Sequence, residues 1–209
     1  MNKRAFRLAL YILYLTGAVG YCVAALRPIM YTLTPLVLFG TGFLVLLSLL
    51  DRKHLSLLWW CLLLYVVAFT LEAIGVKYGF IFGHYTYGKT LGVKLFDVPL
   101  VIGFNWVLVT LGGISMTRRL SPNKILLSLG AGILVMVFDF ILEPVAMRLD
   151  FWSWANNEIP VQNYVAWFGI VLVSAYLFHH FKLSLRNRWP KHLFLAQALF
   201  FMLLNIFKR

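Results

Sequence analysis

Long apolar runs broken by short polar clusters dominate the chain. A helix needs about 20 mostly apolar residues to cross the hydrocarbon layer of a bilayer. Seven stretches meet that length, near residues 5–26, 31–50, 55–74, 98–116, 125–145, 162–181 and 192–207. The pattern predicts an all-α fold, a polytopic membrane helix bundle of about seven transmembrane helices. No linker or low-complexity tract divides it, so residues 1–209 read as a single integral membrane domain. The first run follows Met1-Asn2-Lys3-Arg4 and is long for the apolar part of a signal peptide, so it is expected to remain as a span.

Composition agrees: 62% of residues are hydrophobic and 12% are charged, against about a quarter charged in an average globular protein. A net charge of +12 would suggest nucleic acid in a soluble chain. Here the basic residues fall between apolar runs, which is the pattern of membrane loops, and nucleic acid is not expected as a partner. With seven spans, one side holds the N-terminus and the segments after the second, fourth and sixth spans. That side carries twelve of the 19 lysines and arginines. The positive-inside rule then predicts a cytoplasmic N-terminus, with Asp51 the lone acid inside. Cys22 and Cys61 sit within apolar runs without metal-ligand spacing and read as small core residues.

Six of the seven acids fall in two stretches on the outward side: Glu72 and Asp97, then Asp139, Glu143, Asp150 and Glu158. A carboxylate inside a membrane is costly enough to count as a functional hypothesis. At 1.5 Å per residue, Asp139 lies roughly 22 Å beyond Lys124 and Glu72 roughly 28 Å beyond Lys53. Glu143 lies one turn above Asp139 on the same face, and Asn105 lies roughly 20 Å from Arg118. All four reach a similar band and could converge. The two stretches also resemble each other as a parallel repeat. Each has an acid near the outer end of a rising helix, an aromatic loop, and a return through acid-aliphatic-Pro-aliphatic. Asp97-Val98-Pro99 leads to Trp106, and Glu158-Ile159-Pro160 leads to Trp167. Asp97 and Glu158 also suit helix capping ahead of a first-turn proline, which would explain this motif by itself. Asp150 reads equally as a solvated loop charge.

The remaining inventory is aromatic: Tyr78, Phe80, Phe82, Tyr85, Tyr87, Trp106, Trp152, Trp154 and Trp167. There is no glycine-rich phosphate loop, no Gly-x-Ser-x-Gly elbow and no paired His or Cys ligand motif. No metal and no cofactor are expected. A carboxyl held in low dielectric resists ionisation and can act as a general acid. Aromatic faces stabilise a cation in a dry site. Acids and aromatics together suit protonation of an alkene, followed by water capture of a tertiary carbocation. The candidate acids are Asp139, Glu143, Glu72 and Asp97. The candidate substrate-binding residues are Tyr78, Phe82, Tyr85, Tyr87, Asn105, Trp106, Trp152, Trp154 and Trp167. An apolar substrate would reach them from the surrounding membrane lipid.

Two segments carry a family resemblance. The first is Glu72-Ala73-Ile74-Gly75, Tyr78-Gly79, Phe82-Gly83-His84-Tyr85-Thr86-Tyr87, Leu91-Gly92, Val98-Pro99-Leu100 and Trp106. The second is Asp139, Leu142-Glu143-Pro144-Val145-Ala146, Phe151-Trp152-Ser153-Trp154, Ile159-Pro160, Asn163-Tyr164 and Trp167-Phe168. Together they resemble the membrane carotenoid-biosynthesis family of carotenoid 1,2-hydratases and bisanhydrobacterioruberin hydratases. The loop Ala155-Asn156-Asn157-Glu158-Ile159 is shorter than the resemblance leads one to expect. The resemblance implies cofactor-independent addition of water to the terminal 1,2 double bond of a lycopene-like or gamma-carotene-like end. It also implies a prokaryotic cytoplasmic membrane, with other carotenoid-biosynthesis enzymes as possible partners. A carotenoid cyclase-type isomerase would use the same proton, and intramembrane acids also serve proton-coupled or lipid transporters.

Overall fold

The computed structural model describes residues 3–49 and 55–207. Asp51, Arg52, Lys53, Lys208 and Arg209, which enter the charge-based orientation, lie outside the described residues. Seven helices follow in order: α1 (Lys3–Cys22), α2 (Arg27–Leu49), α3 (Leu55–Tyr78), α4 (Leu100–Thr117), α5 (Lys124–Arg148), α6 (Val161–His180) and α7 (Trp189–Phe207). All seven are long and apolar enough to cross a membrane. The bounds shift from the sequence expectation where local chemistry decides. A 3₁₀ turn at Ala24–Leu26 separates α1 from α2, and Pro28 suits the first turn of α2. Asn123 caps α5, its Oδ1 accepting from the backbone N–H of Ile125 at 2.8 Å. Asn187 Oδ1 accepts from the Trp189 N–H at 2.8 Å and fixes the start of α7. Cys61 is buried as expected, whereas Cys22 lies exposed at the end of α1.

Helix α4 forms the centre, with 78% of its apolar window buried. It packs against α2, α3, α5 and α7, while α5 lies along α6 and α1 along α7. A helix that is apolar all round belongs in such a position. Pro144 interrupts the ladder of α5 one residue after Glu143. A proline has no N–H to offer the carbonyl four residues back.

Four short strands were not foreseen: β1 (Tyr85–Tyr87), β2 (Lys94–Leu95), β3 (Val98–Pro99) and β4 (Trp152–Trp154). Strands β2 and β3 form a tight hairpin whose turn residues, Phe96 and Asp97, have φ of 51° and 63°. Two left-handed residues define the turn that matches the twist of paired strands. Strand β1 pairs antiparallel with β4, placing Tyr85 opposite Trp154, Thr86 opposite Ser153 and Tyr87 opposite Trp152. The two aromatic loops of the sequence repeat are thus one two-stranded sheet. Its period of two puts Tyr85, Tyr87, Trp152 and Trp154 on one face and Thr86 and Ser153 on the other. Thr86 Oγ1 and Ser153 Oγ lie 3.1 Å apart on the exposed face. Gly88 closes the sheet: its N–H donates to the Phe151 carbonyl at 2.9 Å. A Cβ there would stand 2.1 Å from the Asp150 carbonyl oxygen.

Candidate active site

The inner face of the sheet lies over the acids of α3 and α5. Glu72 is 3% exposed. Its Oε2 accepts from Tyr85 Oη at 2.5 Å and Tyr87 Oη at 2.7 Å, and its Oε1 accepts from Trp106 Nε1 at 2.8 Å. Glu143 is 1% exposed. Its Oε2 accepts from Trp152 Nε1 at 2.8 Å and Trp154 Nε1 at 2.7 Å, and its Oε1 accepts from Asn163 Nδ2 at 2.9 Å. The same Asn163 nitrogen donates to Asp139 Oδ2 at 2.7 Å. Asp139 is fully buried, and its Oδ1 has no partner. One amide thus bridges two carboxyls on successive turns of α5.

Aromatic rings close the space between the acids. Trp106 and Trp167, at matching positions of the sequence repeat, stack with centroids 3.6 Å apart and planes 15° apart. Tyr85 lies against Trp154 at 4.9 Å, and Tyr87 meets Trp152 edge-on at 5.9 Å. Gly75, one turn beyond Glu72, is where Phe82 presses on α3; a Cβ there would meet its ring at 2.6 Å. Burial, followed by the neighbouring Glu72, pushes the Tyr85 and Tyr87 phenols above their usual range, so both remain protonated donors.

The cavity between them measures ≈ 50 Å³. One water occupies roughly 10–15 Å³ on that measure, so the space suits one or a few waters. Glu72, Glu143, Phe82, Tyr85, Tyr87, Asn105, Trp106, Trp152, Trp154 and Trp167 all line it. An apolar groove of ≈ 150 Å³ between α1, α2 and α7 adjoins it and shares Leu38, Phe151 and Phe201 with it. Among the described residues, no group of three His, Cys, Asp or Glu is placed to hold a metal ion.

Most of the sequence-predicted residues converge, and two do not. Asp97 is exposed in the β2–β3 turn, where left-handed backbone carries it away from the cavity. It does not cap α4 either, whose N-cap is Pro99 without a side-chain bond. The same correction applies to Glu158, since Pro160 begins α6 without a side-chain cap. Tyr78 is 56% exposed and leans on Phe80. It lies six residues after Glu72, about 240° round the helix, and so faces away. Asp139 stands behind the cavity wall rather than in it, joined to the site through Asn163. Asp150 is exposed, but its Oδ2 accepts from the Lys89 N–H at 3.1 Å and ties the two loops together.

Two amides were missed: Asn163 and Gln197, both buried and both lining the cavity. The signal for Gln197 was an amide midway along the apolar run of the seventh span, which is costly at membrane depth unless it serves a purpose. Asn163 sat within the quoted family motif, but its role depends on a carboxyl twenty residues earlier.

The site is thus a set of buried acids caged by aromatic rings within a bundle of helices long and apolar enough to cross a membrane. Residues 31–208 match the family described as carotenoid biosynthesis protein, and the chain belongs to that family. It is 33% identical over 137 residues to a bisanhydrobacterioruberin hydratase of Haloarcula japonica. That similarity covers 58% of this chain and 45% of the relative, so the chain spans less than half of that relative's length. No solved structure matches the chain. The family resemblance drawn from the two motif segments is therefore borne out, and both segments fall within the matched residues.

Proposed function

We propose that this membrane protein is a carotenoid hydratase that adds water across the terminal 1,2 double bond of an acyclic, lycopene-like or gamma-carotene-like end. The observation that carries this reading is the cage itself. Glu72 and Glu143 are each held by three hydrogen-bond donors and lie on one cavity walled by stacked indoles and phenols. The Asp139–Glu143 pair, bridged by Asn163, supplies the proton through Glu143, which lines the cavity; buried acid pairs titrate as a unit. Protonation of the alkene places a tertiary carbocation among ring faces that stabilise it. Water forms the new C–O bond, its surplus proton passes to Glu72, and water in the cavity returns that proton to Glu143 before the next turnover. The apolar groove between α1, α2 and α7 takes the polyene tail, which the small cavity cannot hold. The cavity end of the bundle faces the outside of a prokaryotic cytoplasmic membrane, as the basic residues of the opposite loops imply.

Expression in a host that accumulates an acyclic carotenoid tests the reading. The expected result is a more polar carotenoid heavier by one water. A product of unchanged mass with a new ring would indicate cyclisation instead, and an unchanged pigment profile with the protein in the membrane would overturn both.

A further inference from the structure

The hydrogen-bond polarity of one buried chain fixes which end of a cavity-lining amide is its carbonyl oxygen. Thr41 Oγ1 donates to the Val37 carbonyl at 2.6 Å, and a carbonyl can only accept. The Thr41 hydrogen is therefore committed, so the Tyr14 hydroxyl, 3.1 Å away, must be the donor between them. Tyr14 has no second hydrogen, so its oxygen accepts from Gln197 Nε2 at 3.3 Å. The far end of Gln197 is then its carbonyl oxygen. That Oε1 is buried without a partner, in a residue 2% exposed that lines the acid cavity. Asn105 lines the same cavity, and its Oδ1 is also buried without a partner. Buried acceptors are rarely left unpaired. The cavity has room for a water, and a water has two hydrogens to give.

We propose that Gln197 Oε1 and Asn105 Oδ1 hold the water that attacks the carbocation, and that Gln197 sets the fate of that cation. This rests on the hydratase reading. With both hydrogens engaged by amide oxygens, the water presents a lone pair to the cation. The C–O bond forms from that pair, and the oxonium so formed breaks one O–H bond and gives that proton to the Glu72 carboxylate, leaving a neutral alcohol. Without the held water the cation returns a proton to a carboxylate and the alkene re-forms. The cost is then product, while proton exchange continues. Tyr14 and Thr41 are positioning residues that act through the Gln197 amide.

The test is run with membranes containing the full chain, an acyclic carotenoid and heavy water. Two quantities are read: hydroxycarotenoid formed, and deuterium incorporated into the recovered polyene. Gln197→Leu is expected to lower the ratio of hydration to exchange by about tenfold or more, as loss of a positioned reactant does. Tyr14→Phe is expected to shift the ratio the same way by less. A purely structural role would lower both quantities together and leave the ratio alone; that outcome overturns the proposal. Should Gln197→Leu fail to reach the membrane, Tyr14→Phe decides, and an unchanged ratio there overturns it equally. A wild-type chain that forms no hydroxycarotenoid overturns the hydratase reading itself. A wild type that hydrates, beside variants with its own ratio, overturns only the role of Gln197.

Discussion

The two halves of the site share a plan and differ in chemistry. In each, a glutamate near the end of a long helix takes two donors from a strand and one from the following helix. For Glu72 the strand donors are the phenols of Tyr85 and Tyr87. For Glu143 they are the indoles of Trp152 and Trp154. An indole N–H can only donate, whereas a phenol can donate or accept. One turn before each glutamate the halves part again: Ala68 precedes Glu72 and Asp139 precedes Glu143, both buried. The cage is therefore close to symmetric while the acid is not. The second half has the paired carboxyls, and the first has hydroxyls through which a proton can move. On the proposed hydratase reading, this division gives proton delivery to Glu143 and proton collection to Glu72.

Breaking the second half is expected to have the largest effect. Glu143→Gln keeps the shape but removes the acid, and hydration should fall about 10²–10⁴-fold, the usual worth of a general acid. Turnover per membrane-inserted protein measures this, with Glu72→Gln alongside. Equal losses in the two variants would mean that the halves are interchangeable. Asp139→Asn comes next. It leaves Glu143 without its acidic partner, and turnover should drop about 10²-fold with little change in the melting temperature in detergent. A Trp154→Phe exchange acts on the cage. One aromatic ring remains, but Glu143 Oε2 loses one of its two indole donors, and stability should fall about 1–3 kcal/mol, as when a buried acceptor loses a donor. Thermal melting reports it, and an unchanged midpoint would remove the indole from the account. The smallest effect belongs to Thr86→Ala on the exposed face of the sheet and to Asp97→Asn in the hairpin turn. Each should stay within about 0.5 kcal/mol and leave turnover unchanged.

The apolar periodicity made the seven helices legible, because each span must satisfy its own backbone in lipid and so needs a continuous run. Glu72, Asp139 and Glu143 were legible for a related reason: a carboxyl at membrane depth stands out against its surroundings. The Pro-to-Trp spacing even marked Trp106 and Trp167, which stack on each other. The pairing of β1 with β4 was not legible. Three-residue strands carry too little alternation to signal themselves, and the central partners, Thr86 and Ser153, lie 67 positions apart. Asp97 misled because acid-x-Pro looks the same ahead of a capped helix and in a hairpin turn. Only the backbone at Phe96 and Asp97 separates the two. Tyr14 and Gln197 escaped because their meaning lies in one chain of hydrogen bonds across three helices.

On the proposed hydratase reading, the caged acids protonate a terminal alkene and water completes the reaction. Incubating membranes that contain the chain with an acyclic carotenoid in water enriched in heavy oxygen tests it most directly, by mass analysis of the recovered pigment. A tertiary alcohol that carries the heavy oxygen is expected from the wild type and not from Glu143→Gln. A hydroxycarotenoid without the heavy isotope, or one formed equally well by Glu143→Gln, would contradict it.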